Sequence, residues 1–146
     1  MGKVRNIQFH NIICNSENGV YVSGTEGSRI ENLLFENVQL HINKITDYPG
    51  GFYDRRPCDT TGIIQRETAG FYLNEADDVT LHNCKISWGN NRPHYYGHAV
   101  EAHDVPDLHL ENFKGQSAHP DKGDPILLVE EADKEDGDGY TELTLQ

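Results

Sequence analysis

The sequence predicts an all-β chain wound as a right-handed parallel β-helix. A short apolar pattern that ends in Asn recurs four times, and a second strand-like pattern recurs between its copies. The repeating units are too short for a hairpin plus a helix, and no long stripe of apolar residues has helical spacing. We therefore predict one domain over residues 1–146, a short solenoid of about four to five coils in which each coil covers the apolar face of the next.

The first pattern ends at an Asn in every copy. The stretches "IQFHN" (7–11), "LLFEN" (33–37), "VTLHN" (79–83) and "LHLEN" (108–112) place Asn at intervals of 26, 46 and 29 residues. The middle interval is one repeat plus an insertion of about 20 residues. An Asn amide at a tight bend can bond the equivalent amide one coil above or below. We predict such a ladder, with a structural role, for Asn11, Asn37, Asn83 and Asn112.

The second pattern comprises "NGVYVSG" (18–24), "AGFYLNEA" (69–76), "YGHAVEAHD" (96–104) and "DPILLVEEA" (124–132). Neighbouring side chains on a strand point to opposite faces, so alternation assigns one set of residues to the interior. The predicted inner residues are Val20, Val22, Phe71, Leu73, His98, Val100, Ile126 and Leu128. The predicted outward stripe consists of Tyr21, Ser23, Tyr72, Asn74, Glu101 and His103.

Two other architectures fit the sequence less well. A leucine-rich repeat also ends a strand with an apolar run and Asn, but its Leu spacing and helical return segment are missing. A β-sandwich requires hairpin turns every 8 to 12 residues or so, which the sequence lacks.

Charge and composition exclude several function classes. The formal net charge of -12 argues against nucleic acid, whose recognition needs clustered Lys and Arg. No apolar run approaches the length of a membrane span, and the first residues do not resemble a secretory signal. Three Cys cannot all pair internally, and Cys84 occupies an apolar repeat position where a buried thiol is expected. Acidic residues concentrate at 120–146, which we interpret as a solvated edge; no metal or other cofactor is predicted.

Several stretches resemble the C-terminal coils of glycoside hydrolase family 28, the polygalacturonase and rhamnogalacturonase group. They are "VRNIQFHNI", "NGVYVSGTEGSRIENLLFENVQL", "YDRRPC" and "GFYLNEADDVTLHNCKISW", and the resemblance covers residues 4–114. It implies a parallel β-helix and inverting hydrolysis of galacturonic-acid-containing polysaccharide, such as pectin. In that family one carboxylic acid protonates the leaving oxygen and a carboxylate pair activates water.

The four active-site motifs of this family are not readable in the chain. Asp77-Asp78 matches the Asp-Asp pair by letter but lies at a bend and follows no Asn-Thr-Asp. Tyr21 and Ser23 stand where the Arg and Lys of Arg-Ile-Lys would be, and Gly97-His98 lacks the second Gly of Gly-His-Gly. Because the family's catalytic coils precede the segment that this chain resembles, we expect a shortened relative without hydrolase activity.

Candidate site residues lie on the outward stripe and in the insertion at residues 41–67. Glu101 and His103 share one face and could act as an acid and base pair, while Tyr72 and Asn74 could contact a sugar chain. Arg55 or Arg56 could clamp a uronate carboxylate, although an internal network with Asp54 is the simpler reading. Trp88 could stack on a sugar ring, although core packing is commoner.

Three functions follow from these candidates. The first is the shortened relative without activity, and the second is an active hydrolase whose carboxylates are Glu101, Asp54 or Glu67. The third is a non-catalytic module that binds a polysaccharide or oligosaccharide. The chain also exposes an apolar end around Val4, Ile7 and Phe9, and solenoid ends need caps, so we predict a homo-oligomer through this end.

Overall fold

The computed structural model of the protein describes residues 2–58 and 62–130, which are all-β apart from one turn of 3₁₀-helix at Pro120–Lys122. The prediction of an all-β chain with parallel sheets is confirmed. The strands are β1 (Arg5–Ser16), β2 (Val20–Ser23), β3 (Ile30–Ile42), β4 (Phe52–Asp54), β5 (Ile63–Gln65), β6 (Phe71–Asn74), β7 (Ala76–His82), β8 (Lys85–Trp88), β9 (Val100–His103), β10 (Leu108–Glu111) and β11 (Leu127–Glu130).

Two parallel sheets organise these strands. Sheet A has the order β1-β3-β7-β10, with β8 also paired to the long strand β3, and sheet B has the order β2-β6-β9-β11. Each sequence repeat therefore contributes a strand to both sheets. Equivalent residues of the repeats lie side by side, as in the row formed by Ile7, Leu33, Val79 and Leu108.

The core contains the inward-facing residues of both sheets. Alternation makes Leu33 and Phe35 of sheet A and Phe71 and Leu73 of sheet B almost fully buried. Phe35 and Phe71 meet edge to face across the core, with ring centroids 5.4 Å apart. Cys84 is buried in the same cluster, as predicted, and burial raises the pKa of its thiol.

The four repeat Asn residues form bends of left-handed backbone conformation, with φ between 49° and 56°. Asn tolerates this conformation better than most residues, which explains its recurrence. Asn37 Nδ2 donates to Asn11 Oδ1 at 2.9 Å, and Asn112 Nδ2 donates to Asn83 Oδ1 at 2.5 Å. The predicted ladder is thus confirmed in two pairs. Among the described residues, no hydrogen bond joins the side chains of Asn37 and Asn83.

A second row of left-handed bends precedes the first by five residues and was not predicted. Asn6, Asn32 and Asp78 have φ of 58°, 55° and 57°, and Asn32 Nδ2 donates to Asn6 Oδ1 at 2.8 Å. The first three repeats therefore bend twice within the segment that forms sheet A, whereas Asp107, the equivalent residue of the fourth repeat, does not have the left-handed conformation. The polar residue five positions before each repeat Asn was the sequence signal for this row.

Close packing of coil on coil explains a row of small residues before sheet B. Gly19, Gly70 and Ala99 precede β2, β6 and β9 at equivalent positions. A Cβ at Gly19 would lie 2.1 Å from the carbonyl oxygen of Ala69, which leaves no space for a side chain. Gly is required at positions 19 and 70 because the backbone of the next coil approaches too closely for a Cβ, whereas the third position of the row accommodates Ala99.

The predicted inner face of the last strand was wrong by one residue. Leu127 and Val129, instead of Ile126 and Leu128, pack against the core, because Leu127 is the partner of Val100. A shift of one residue in register moves every side chain of a strand to the opposite face. Ile126 is exposed; the acidic edge beyond residue 130 lies outside the described residues.

Candidate functional site

The outer face of sheet B carries two rows of side chains that cross the strands. The first row runs through Tyr21, Tyr72, Glu101 and Leu128, and the second through Ser23, Asn74, His103 and Glu130. The stripe predicted from the sequence is therefore brought together on one face. Glu130, which the sequence analysis did not include, extends the second row.

The insertion folds over the first row instead of extending into solvent. Its strands β4 and β5 form a small antiparallel hairpin, and Tyr53 of β4 lies against Tyr21 and Tyr72 at centroid distances of 4.3 and 5.2 Å. Tyr53 and Tyr72 are both buried, and burial raises the pKa of both phenols. Sugar stacking on Tyr72 would therefore require the hairpin to move.

Glu101 is buried beneath the same insertion and is paired with a cation. Arg66, which directly follows β5, donates from Nη1 to Glu101 Oε1 at 2.8 Å, and its guanidinium lies 5.3 Å from the centre of the Tyr72 ring. The side chain of Glu101 is 5% exposed and that of Arg66 is 36% exposed. Arg66 thus neutralises a buried carboxylate and fixes the hairpin to sheet B.

His103 joins the buried Glu101 to the exposed Glu130. Its Nε2 lies 2.6 Å from Glu101 Oε1 and 2.8 Å from Arg66 Nη1, and its Nδ1 lies 2.8 Å from Glu130 Oε2. One tautomer donates to Glu101, and the other donates to Glu130 while Nε2 accepts from Arg66. The imidazole can therefore exchange a hydrogen bond between two carboxylates, of which only Glu130 is well exposed.

The remaining candidates of the insertion do not converge on this network. Arg56 donates from Nε and Nη2 to the two oxygens of Asp54 at 2.9 and 2.6 Å, which is the internal pair considered from the sequence. These bonds lower the pKa of Asp54 to about 2. Arg55 and Glu67 are exposed, with no side-chain hydrogen bond or ion pair among the described residues.

Trp88 lies in the core instead of on a sugar-binding surface. Its side chain contacts Tyr96 at a centroid distance of 5.3 Å, and Nε1 donates to the carbonyl oxygen of Gln116 at 2.7 Å. The ring is 8% exposed, so neither of its faces is available to a sugar. Trp88 therefore lies outside the candidate site on sheet B.

Sequence reasoning missed two residues that determine the site, Tyr53 and Arg66. The apolar and basic residues of the insertion were visible, but their contacts depend on how a long connection folds, which local patterns do not reveal. Within residues 2–58 and 62–130 there is no cluster of three or more residues able to hold a metal ion, and no helix long and apolar enough to cross a membrane.

Comparison with known proteins adds no relative. No protein-family model, no curated protein and no solved structure matches this chain.

Proposed function

We propose that this chain is a right-handed parallel β-helix related to the C-terminal coils of family 28 glycoside hydrolases, and that it does not itself hydrolyse glycosidic bonds. The β-helix is supported by the contribution of each repeat to both parallel sheets in the same order. The kinship is supported by the stretches "GTEGSRIENLLFENV" and "YDRRPC".

The burial of Glu101 carries the proposal that hydrolysis is absent. An inverting hydrolase needs a carboxylic acid and a carboxylate on opposite sides of the scissile bond, with room for a water molecule. Glu101 is 5% exposed and is occupied by Arg66 and His103, and Asp54 is occupied by Arg56. Glu130 and Glu67 are exposed, and Glu130 is paired with His103.

Release of reducing ends from polygalacturonate tests this function. We expect no release above the no-protein control for the wild-type chain or for Glu101→Gln, in parallel with an active polygalacturonase as the positive control. Release by the wild-type chain that is lost in Glu101→Gln would establish the alternative, an active carbohydrate hydrolase. The folded state of both proteins is checked by circular dichroism before the assay.

The second row of sheet B favours binding of an uncharged oligosaccharide as a second candidate function. Ser23 and Asn74 present a hydroxyl and an amide at successive rungs, and both are partly exposed, whereas both ring nitrogens of His103 on the next rung are engaged with neighbouring side chains. Asn74 Nδ2 donates to Ser23 Oγ at 3.2 Å, which orients both groups. The net charge of -12 disfavours a polyanionic ligand because the chain repels it.

Glycan-array binding without turnover distinguishes this second candidate. For a glycan that binds, we expect Asn74→Ala to weaken binding about tenfold, which corresponds to the loss of one good hydrogen bond. The matched control is Gln8→Ala on the outer face of sheet A, which leaves sheet B unchanged. Equal effects of the two substitutions would contradict a site on sheet B.

A further inference from the structure

We propose that copies of this chain associate end to end, so that β10 of one copy pairs in parallel with β1 of the next. This inference goes beyond the proposed carbohydrate-related function and depends only on the order and register of the strands. It identifies the partner as a second copy of the chain and assigns an orientation to the contact.

Both ends of the stack have open strand edges in the part of the chain that the structure describes. Sheet A begins with β1 and ends with β10, and sheet B begins with β2 and ends with β11. Within residues 2–58 and 62–130 each of these strands pairs on one side only, so its other side can accept a further strand. The open edges of β1 and β2 belong to the first repeat, and those of β10 and β11 to the last.

The amide rows give the two ends opposite hydrogen-bonding character. In each bonded pair the later Asn donates its Nδ2 to the Oδ1 of the earlier one. Among the residues that the structure describes, the Nδ2 groups of Asn6 and Asn11 therefore have no acceptor at the first end, and Oδ1 of Asn112 has no donor at the last end. Asp107 directly precedes the Leu108–Val79 pair, and its exposed side chain adds a carboxylate acceptor at the last end.

A row of alternating charge on the outer face of sheet A has the same complementarity. His10, Glu36, His82 and Glu111 lie in register across β1, β3, β7 and β10. Glu36 contacts both of its neighbours, with His10 Nδ1 at 3.2 Å and His82 Nδ1 at 3.3 Å. The row begins with His and ends with Glu, so placing Glu111 of one copy beside His10 of the next continues the alternation.

Apolar groups are exposed at both ends, which provides a driving force for association. At the first end Val4 is 47% and Phe9 is 38% exposed, although Phe9 stacks on Phe35 from its other side. At the last end Leu110, Phe113, Ile126 and Leu127 line an apolar cleft of about 410 Å³. End-to-end stacking would bring these surfaces together and remove apolar area from water.

The complementarity favours a head-to-tail contact over a twofold one. A twofold contact between two first ends would bring together the Nδ2 groups of Asn6 and Asn11 and the imidazoles of His10, with neither the Asn112 amide oxygen nor the Glu111 carboxylate opposite them. A head-to-tail contact pairs donor with acceptor and His with Glu. Because such a contact is heterologous, each addition leaves a new end available and assembly continues beyond the dimer.

Sedimentation of the full wild-type chain over a wide concentration range tests the self-association. We expect the weight-average mass to rise with concentration and to pass the mass of a dimer without reaching a plateau. A monomer at the highest soluble concentration, or a plateau at the dimer, would overturn the proposal. This measurement needs no variant, so it decides the matter even if a variant fails to fold.

Mixing two end-blocked variants tests the orientation. Val4→Lys blocks the first end and Ile126→Lys blocks the last end, and both positions are exposed. We expect each variant alone to remain monomeric where the wild type is half assembled, and an equimolar mixture to form a heterodimer and nothing larger. Dimers of Ile126→Lys alone, with no heterodimer in the mixture, would instead establish a twofold contact through the first end.

Discussion

The outer faces of the two sheets begin from the same strand alternation and end in different environments. On sheet A, His10, Glu36 and His82 are all partly exposed and are joined by hydrogen bonds of 3.2 to 3.3 Å. On sheet B, Tyr72 and Glu101 occupy the equivalent outward positions but are buried beneath the hairpin. An outward side chain is therefore exposed to solvent only where no other segment covers it.

The largest loss of stability should follow substitution on the outer face of sheet B, which the hairpin covers. Replacing Arg66 with Met leaves the Glu101 carboxylate buried without its cation, and we expect the free energy of unfolding to fall by about 3 kcal/mol. Urea denaturation measures this change. The double variant Arg66→Met/Glu101→Gln is the matched control and should recover most of the loss. A loss under about 1 kcal/mol for Arg66→Met would mean that this pair behaves as an exposed one.

A smaller loss of stability should follow substitution at the left-handed bends of sheet A. Asn37 has φ of 53° and donates to Asn11, so Asn37→Ala should lower the free energy of unfolding by about 2 kcal/mol. Asn37→Gly should cost about half as much, since Gly adopts this conformation readily. Asn15→Ala, at an exposed strand position with no left-handed bend, should be nearly neutral. Equal losses for Ala and Gly would show that conformation does not matter at this bend.

The contacts of Glu17 with the start of the insertion should make the stability of the protein sensitive to acid. Glu17 accepts from Lys44 Nζ at 2.7 Å and from the Thr46 and Ile45 amides, and these bonds lower its pKa to about 2. A lowered carboxyl pKa stabilises the folded state above the ordinary value of 4.5, and this contribution is lost as the pH falls towards 2.

Thermal unfolding of the wild type and Glu17→Gln across this range measures the contribution. The two midpoints should differ by a constant amount above about pH 5 and should converge towards pH 2. Glu26→Gln, at an exposed turn, is the matched control and should track the wild type throughout. A difference that persists unchanged at low pH would contradict a role for the Glu17 carboxylate.

The smallest loss of stability should follow substitution on the outer face of sheet A, which the hairpin does not cover. His82 and then His10 lower the pKa of Glu36 through hydrogen bonds, so Glu36→Gln removes a favourable interaction of the ionised carboxylate. We expect a slight loss of stability at neutral pH that shrinks further at high ionic strength, because salt screens exposed charges. Denaturation at low and high salt checks this. A loss of stability comparable with that of Arg66→Met would contradict the expectation that the ion pairs of sheet A contribute less than those of sheet B.

Much of the fold was predictable because it follows from local periodicity. Alternation placed Phe71 and Leu73 inside and Tyr72 and Asn74 outside, and the recurring Asn placed the bends at residues 11, 37, 83 and 112. The last strand failed because "DPILLVEEA" is apolar at both parities, so alternation could not choose between Leu127 and Leu128. Pairing with Val100 made that choice.

For the candidate site, the sequence predicted the strand positions of Glu101 and His103 but not their partners. Glu101 and His103 were correctly placed two residues apart on one face, because a strand fixes that relation. Their partners Arg66 and Glu130 come from segments 35 residues before Glu101 and 27 after His103, brought close by the strand pairing and by the fold of the insertion. Trp88, for which sugar stacking and core packing were both considered, is buried, and its Nε1 donates to the carbonyl oxygen of Gln116, 28 residues later.

Most of the strands in the two parallel sheets, the bends at the four repeat Asn residues and the inner faces of β2 and β6 could be deduced from the sequence, because they depend on the period of a strand and on the backbone preferences of Asn. Tertiary packing was needed to choose the inner face of the last strand and to settle which outward residues meet water. The second of these choices rests on where a hairpin of the insertion packs, and packing joins residues whose separation along the chain carries no periodic signal.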